Sequence, residues 1–362
     1  MSKQLISYIA PSAPATRRTA SGNEPFLRLE IGFTPNWYHE AIGIDFGYTW
    51  HWDVAYRRKS ILAMRRELQK RFPGTAIGQI NEPDHPLDLL TGLFGTCTVA
   101  ALFDTPIIYS SDNWPNCEQR YLTNRQIDAL TTPDLNSNDF YQRLLCQVQE
   151  IAKIEGVAKG FINWQGVLNN ALRLRGENLF LDMVDDPERA HHLFEVICET
   201  MIGAIRQLHL KQAQFGFLPG FVTVSNCSVN MISPQQYRNF ILPKDKQIAQ
   251  FFGSIGIHNC AWTADPYMID YSTVPNLGYI DMGLESDLVK AKTLFPNARR
   301  ALMYTPMDLV NKDRQIIKED IRRIAKEYAP CDIVAADIES ETPDEAILDF
   351  IRMCQEVSAD YV

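Results

Sequence analysis

The stretch Ile255-Gly256-Ile257-His258-Asn259-Cys260 decides the reading of the fold. It begins as a short apolar run of the kind that forms a buried parallel strand, and it ends abruptly in polar, reactive side chains. The same change recurs along the chain. Candidate strands lie at 76–80, 107–110, 158–163, 221–225, 255–259, 278–282, 299–304 and 332–336. Several of them run into such residues: Asn163-Trp164-Gln165, Ser225-Asn226-Cys227, Asp281 and Asp337. From Phe221 onward strand, loop and helix follow one another in a regular rhythm. That alternation predicts an α/β protein with a parallel sheet. Reactive groups at strand ends favour a (β/α)8 TIM barrel, which keeps its active site there. A doubly wound sheet would fit the alternation equally, but the chain has no GxGxxG or Walker run to serve it. The expectation is one barrel domain over 26–362 with eight parallel strands and an N-terminal aromatic-rich extension. His258, Cys260, Asp281, Tyr304 and Asp337 should sit on its C-terminal rim.

Helix starts support the alternation. Asp186-Pro187 supplies an N-cap followed by proline, and Leu193, Val196, Ile197, Met201, Ala204, Ile205 and Leu208 then share one face. Ser233-Pro234-Gln235-Gln236 and Thr342-Pro343-Asp344-Glu345 read as capping boxes. Asp53 opens a basic helix carrying Arg57, Arg58, Lys59, Arg65, Arg66, Lys70 and Arg71, which reads as a solvated outer face.

Composition narrows the function classes. The 362 residues are 46% hydrophobic and 22% charged, which is globular. A net charge of −9 gives no global attraction to nucleic acid or to an anionic membrane. Residues 1–25 read as a draped or loose leader without the apolar core of a secretory signal, so a cytoplasmic protein acting on a small molecule is expected. The eight cysteines are scattered, not framed as disulfides. Cys146, Cys198 and Cys354 fall in helical patterns and read as packing.

In an extended segment residues two apart point to the same side, so His258 and Cys260 project together. A thiolate beside an imidazole suits zinc. The same spacing also fits a core cysteine next to a hydrogen-bonded histidine. A second cluster runs from Phe33 through Trp37, Tyr38 and His39, followed by Trp50-His51-Trp52. It reads either as an aromatic plug packed on the barrel or, with Trp262, as a wall for a flat substrate. Asn163, Gln165 and Asn226 are candidates for hydrogen bonding to that substrate, and Asp281 and Tyr304 for catalytic roles.

The run from Ser225 through Ser233-Pro234-Gln235-Gln236-Tyr237 to Pro243, followed by Ile257-His258-Asn259-Cys260, resembles the uroporphyrinogen decarboxylase superfamily. It is most similar to the zinc-dependent, cobalamin-linked methyltransferases within it. Gln165-Gly166, the Asp185–Glu188 helix start, Gly278–Asp281 and Thr342–Glu345 match as well, and the likeness extends from about Leu90 to the C-terminus. The resemblance implies a (β/α)8 barrel in which a His-x-Cys pair and a distant cysteine hold zinc, which activates a thiol toward a methyl group on a corrinoid. The family's third ligand, however, maps to Ala336 or Asp337. Asp337, then Cys227, then Cys331 are the candidates to replace it. Cys331 begins the last strand, so its thiol should lie about 20 Å from the rim.

Three functions follow. The first is a zinc-dependent methyltransferase moving a methyl group between a corrinoid (cobalamin) and a thiol or other small acceptor. No Asp-x-His-x-x-Gly corrinoid-binding run is present, so the corrinoid would arrive free or on a partner protein. The second is a uroporphyrinogen-type decarboxylase. Against it, the family's arginine-rich run is replaced here by Arg28-Leu29-Glu30-Ile31-Gly32-Phe33, whose Glu30 would repel a polyanion. The third is a non-catalytic barrel with a degenerate site.

Overall fold

The computed structural model describes residues 6–8, 19–78 and 83–361. Its strands are β1 (Ile6–Tyr8), β2 (Leu27–Phe33), β3 (Ile107–Ile108), β4 (Asn116–Cys117), β5 (Val222–Ser225), β6 (Ile255–His258), β7 (Leu277–Gly283), β8 (Arg299–Met303) and β9 (Cys331–Ile338). Seven of these form one sheet in the order β1-β2-β9-β8-β7-β6-β5, and every pairing in it is parallel. Helices separate the consecutive strands from β5 to β9, as a barrel requires.

Register fixes which side chains meet. Ser225 pairs with His258, His258 with Asp281, and Asp281 with Ala301, so these residues form one inward-facing row. One row toward the strand starts lie Thr223, Gly256, Tyr279 and Arg299. Phe221, Tyr279, Ala301, Met303, Val334 and Ala336 pack together as an apolar cluster apart from the larger core. Beneath it the Arg28 guanidinium bonds Glu30 at 2.6 Å and also Asp332, which in turn accepts from Arg299 at 2.8 Å. The alternate residues Leu27, Leu29, Ile31, Ile255, Ile257 and Ile280 join the main core instead, where the amphipathic helices pack.

Several expectations change. The 107–110 candidate yields only the two-residue β3, paired antiparallel with β4 outside the main sheet. The stretch 158–163 joins no ladder. It leads instead to Gly166, whose N–H donates to Ser225 O at 2.8 Å. A Cβ on Gly166 would lie 2.6 Å from that same oxygen, so glycine permits the close approach. The 76–80 candidate is turn at 76–78 and otherwise lies outside the described residues, as does most of the 1–25 leader.

Helix ends behave mostly as expected. Asp186 caps Pro187–Ala213, and Ser233 and Gln236 form the expected capping box. At the last helix, Asp344–Ala359, the expected box is not made: Pro343 is the N-cap residue and no side chain caps the helix.

The basic helix Val54–Arg71 is not a uniformly solvated face, because Arg57 is fully buried and Arg65 nearly so. Cys198 and Cys354 are buried as expected, whereas Cys146 is exposed. Among the described residues, no helix is long and apolar enough to cross a membrane.

Candidate metal centre

The end of β5 and the end of β6 are neighbours, and each turns directly into a cysteine. Cys227 starts a 3-10 turn, Cys227–Met231, immediately after Asn226. Cys260 follows β6 with φ of 65°, a left-handed conformation that non-glycine residues rarely hold. The result is that one ligand atom each from Cys227, His258 and Cys260 lies within 4.8 Å of the other two. Gln165, just before Gly166, and Asp337, near the end of β9, also have positive φ. Backbone strain at such ends re-aims side chains and is often found at functional sites.

Asp281 organises the centre from beneath. Its Oδ2 accepts from His258 Nδ1 at 2.6 Å and from Tyr279 Oη at 2.8 Å. Its Oδ1 accepts the backbone N–H groups of Asn259 at 2.8 Å and Cys260 at 3.1 Å. Four donors converge on one fully buried carboxylate, which therefore acts purely as acceptor. That fixes the proton of His258 on Nδ1 and leaves Nε2 as its free ligand atom. The carboxylate holds both the imidazole and the backbone of the Cys260 turn. The far side of that turn rests on Gly283, whose N–H donates to Trp262 O at 2.8 Å. A Cβ there would strike Ala261 O at 1.9 Å.

Electrostatics favour a thiolate. Cys260 is drawn below the usual thiol range, first because Cys227 donates a hydrogen bond to it and then because of His258. Cys227 is pushed up as the donor of that bond and by burial. His258 is raised well above its usual value: burial opposes its charge, but Asp281 and then Cys227 outweigh it. Two thiols and one oriented imidazole are the borderline-soft donor set zinc prefers, and three ligands leave a fourth position open. Metal binding would displace the remaining protons.

Other expected residues fall elsewhere. Asp337 is exposed at the end of β9, three strands from β6, and is not part of the group; Cys227 takes the third place geometrically. Cys331 is buried at the opposite end of β9. Asp281 does not face a substrate, because protein groups occupy both its oxygens. Tyr304 points away from the interior: it follows Leu302 in the outward parity of β8, stacks on Phe350, and donates to Asp320 at 2.9 Å.

Asn226 likewise faces outward, donating to Asp245 at 2.8 Å while its N–H bonds His258 O at 2.8 Å. Trp37 is core, packed on Phe33, Tyr38 and Phe72 with Arg71 stacked over it. Trp52 packs on Phe94 and Phe140 and donates to Tyr109 at 2.8 Å. Trp262 is exposed on the rim. The three tryptophans thus do not build one wall. The aromatic cluster around Trp37 and Trp50 packs as a plug.

Asn163 and Gln165 do approach the site, through a relay of amides. Gln165 Nε2 donates to Asn163, Asn169 Nδ2 donates to Gln165 at 2.9 Å, and Ser228 N donates to Asn169 at 3.1 Å. Asn169 and Ser228 line a cavity of about 240 Å³ together with Cys117, Glu118, Tyr121 and Arg173. Asn169, Arg173, Tyr279 and Asp245 carried no signal in the sequence, since helical periodicity and strand parity do not reveal which loop a side chain meets.

Asp245 gives a pH prediction. It is fully buried, and burial raises it to about 6 even though Tyr237 and Asn226 hydrogen-bond it. The fold therefore favours its neutral form: that contribution is present below about pH 4 and is lost as pH rises through 6. Asp245→Asn is expected to gain stability relative to the parent between pH 4 and 7, with the difference level above pH 7. Paired thermal melts at pH 4.5 and 7.5 check this, and an unchanged or reversed difference would contradict it.

The fold and this site define a parallel α/β fold of the TIM-barrel type, seven strands of which pair among the described residues instead of the expected eight, with a histidine and two cysteines gathered at its mouth. The uroporphyrinogen decarboxylase (URO-D) family matches residues 83–335, and the chain belongs to that family. Among solved structures, a methyltransferase from Methanosarcina mazei superposes with a TM-score of 0.65 at 12% identity, covering 98% of this chain and 94% of that one. That likeness bears on the fold. No curated protein matches the sequence.

Proposed function

We propose that Cys227, His258 and Cys260 hold zinc, and that the protein is an enzyme moving a methyl group between a corrinoid and a thiol or other small acceptor. The observation that carries this reading is the convergence of these three side chains within 4.8 Å. When bound, zinc supplies Lewis-acid chemistry that deprotonates an acceptor thiol near neutral pH.

The chain's own residues set up that chemistry. Asp281 fixes the tautomer and angle of His258 and, through two backbone N–H groups, the aim of Cys260. Asn169, Ser228 and Arg173 present donors to the adjoining cavity, where the remote part of a small acceptor fits. The corrinoid comes free or on a partner protein, since the chain lacks a corrinoid-binding run. The decarboxylase reading is disfavoured by the charge pairing at the strand starts, where Glu30 and Asp332 already neutralise the Arg28 guanidinium.

Mixing the protein with methylcobalamin and a panel of small thiols is expected to bleach the methyl-cobalt absorbance. Chelation should stop it. Turnover unaffected by chelation rejects zinc chemistry, and metal-free release of carbon dioxide from uroporphyrinogen replaces this reading with the decarboxylase.

A further inference from the structure

Cys227 and Cys260 lie at neighbouring strand ends, which places them to react with one another as well as to hold an ion. β5 and β6 run parallel, with Ser225 opposite His258. The contact continues one residue further, because Asn226 N–H donates to His258 O at 2.8 Å. Each cysteine comes two residues after the last paired position, so the two occupy matching places on adjacent segments. Neighbouring strands lie about 4.8 Å apart, inside the range of about 4.4–6.8 Å that a disulfide spans between Cα atoms. The two sulfurs themselves lie within 4.8 Å of each other. Bonding therefore requires a change of side-chain rotamer, not a rearrangement of the backbone.

Accessibility sets this pair apart. Of the eight cysteines five are buried, where thiols are inert. Cys146 is exposed, but on the helix Asp139–Glu155 outside the sheet. Cys227 and Cys260 are partly exposed, free and adjacent. Protein groups hold both turns in place whether or not an ion is bound. Asp281 Oδ1 accepts the N–H groups of Asn259 and Cys260, and Asn169 accepts the N–H of Ser228 at 3.1 Å. The metal-free chain thus presents the two thiols already side by side.

We propose that Cys227 and Cys260 are a redox modification site: in the metal-free chain a peroxide converts them into an intramolecular disulfide, which a thiol reductant reopens. One sulfur attacks a peroxide oxygen, an S–O bond forms and the O–O bond breaks. The departing hydroxide takes that thiol's proton and leaves as water. The second sulfur then attacks the first, the S–S bond forms, the S–O bond breaks, and the hydroxide takes the second thiol's proton to leave as water. Two thiols lose two electrons in total, and one peroxide becomes two waters. A consequence for metal rests on the zinc reading above. Sulfurs bonded to each other are no longer thiolate ligands, so the disulfide leaves His258 alone of the three, while a bound ion shields both sulfurs. Oxidation and metal occupancy exclude one another.

The test strips the full chain of metal with a chelator, treats it with hydrogen peroxide under native conditions, and alkylates the remaining thiols. Non-reducing peptide mass spectrometry then maps all eight cysteines. The expected product is a Cys227–Cys260 linked peptide that dithiothreitol reverses. Cys146→Ser should form it equally. The proposal is overturned if both residues are recovered as alkylated thiols while Cys146 oxidises, if either proceeds to sulfinic acid without a link, or if either links to another cysteine instead. Zinc uptake, measured by elemental analysis, should be lost in the linked chain and regained after dithiothreitol, and zinc loaded beforehand should suppress the link. Linked chain that takes up as much zinc as reduced chain overturns the exclusion. Reduced chain that binds no zinc rejects the zinc reading instead, and the peptide map still decides the modification site.

Discussion

Replacing Cys260 by alanine is expected to reduce bound zinc from about one ion per chain to a small fraction of that, with the fold intact. Cys260 is one of three candidate ligands within reach of one another among the described residues, and its surroundings favour the thiolate. Removing it leaves Cys227 and His258, two ligands on a tetrahedral ion. The side chain lies at the end of β6 on the rim, outside the packed core, so circular dichroism and melting should stay near the parent's. Asp281→Asn should act more mildly, weakening zinc about 10–100-fold, because it disturbs the orientation of His258 without removing a ligand. Elemental analysis and chelator competition measure both effects. Zinc retained at full occupancy in Cys260→Ala rejects the assignment, and a variant that matches the parent in affinity for Asp281→Asn would show that the His258 contact does not orient a ligand.

Arg57→Met should lower stability by about 3 kcal/mol or more. The Arg57 guanidinium is wholly buried, and its N–H groups satisfy four acceptors: Leu89 O at 2.8 Å, Trp50 O at 2.9 Å, His51 O at 3.1 Å and Gln147 Oε1 at 2.8 Å. It stitches together Tyr48–Trp52, Val54–Arg71, the segment before Leu90, and helix Asp139–Glu155. Methionine fills much of the same volume but leaves three carbonyls and an amide without donors. The cost of burying the charge shows in its pKa, pulled down to about 9 by burial despite Asp53, Asp88 and Glu150. Arg66→Met on the exposed side of the same helix is the control and should stay within about 0.5 kcal/mol. Denaturant melts compare the two. A loss at Arg57 no larger than at Arg66 would mean that water can replace these contacts.

These two residues mark the boundary between what the sequence and the tertiary structure decide. The alternation of apolar runs with helical stretches set a parallel α/β protein, the reactive residues at strand ends favoured the barrel, and the two-residue spacing of His258 and Cys260 marked them as a candidate pair, because these are local regularities of the sequence. Strand register is not local. It placed Asp281 beneath His258, which strand parity alone could not distinguish from a residue facing substrate, and it sent Tyr304 outward by a single step of alternation.

The third member of the group depended on which strand ends are neighbours in space. Asp337 and Cys227 both terminate strands, but only β5 lies beside β6. Charge pattern along a helix likewise cannot reveal a buried arginine: Arg57 and Arg66 look alike in sequence, and only the backbone carbonyls of Trp50, His51 and Leu89 and the Gln147 side-chain oxygen converging on it make Arg57 part of the core. Local periodicity therefore determined most of the elements and marked the His-x-Cys pair, while the packing of distant strand ends and loops decided what surrounds them, because hydrogen-bond partners and candidate ligands tens of residues apart meet only when the sheet brings their strand ends together.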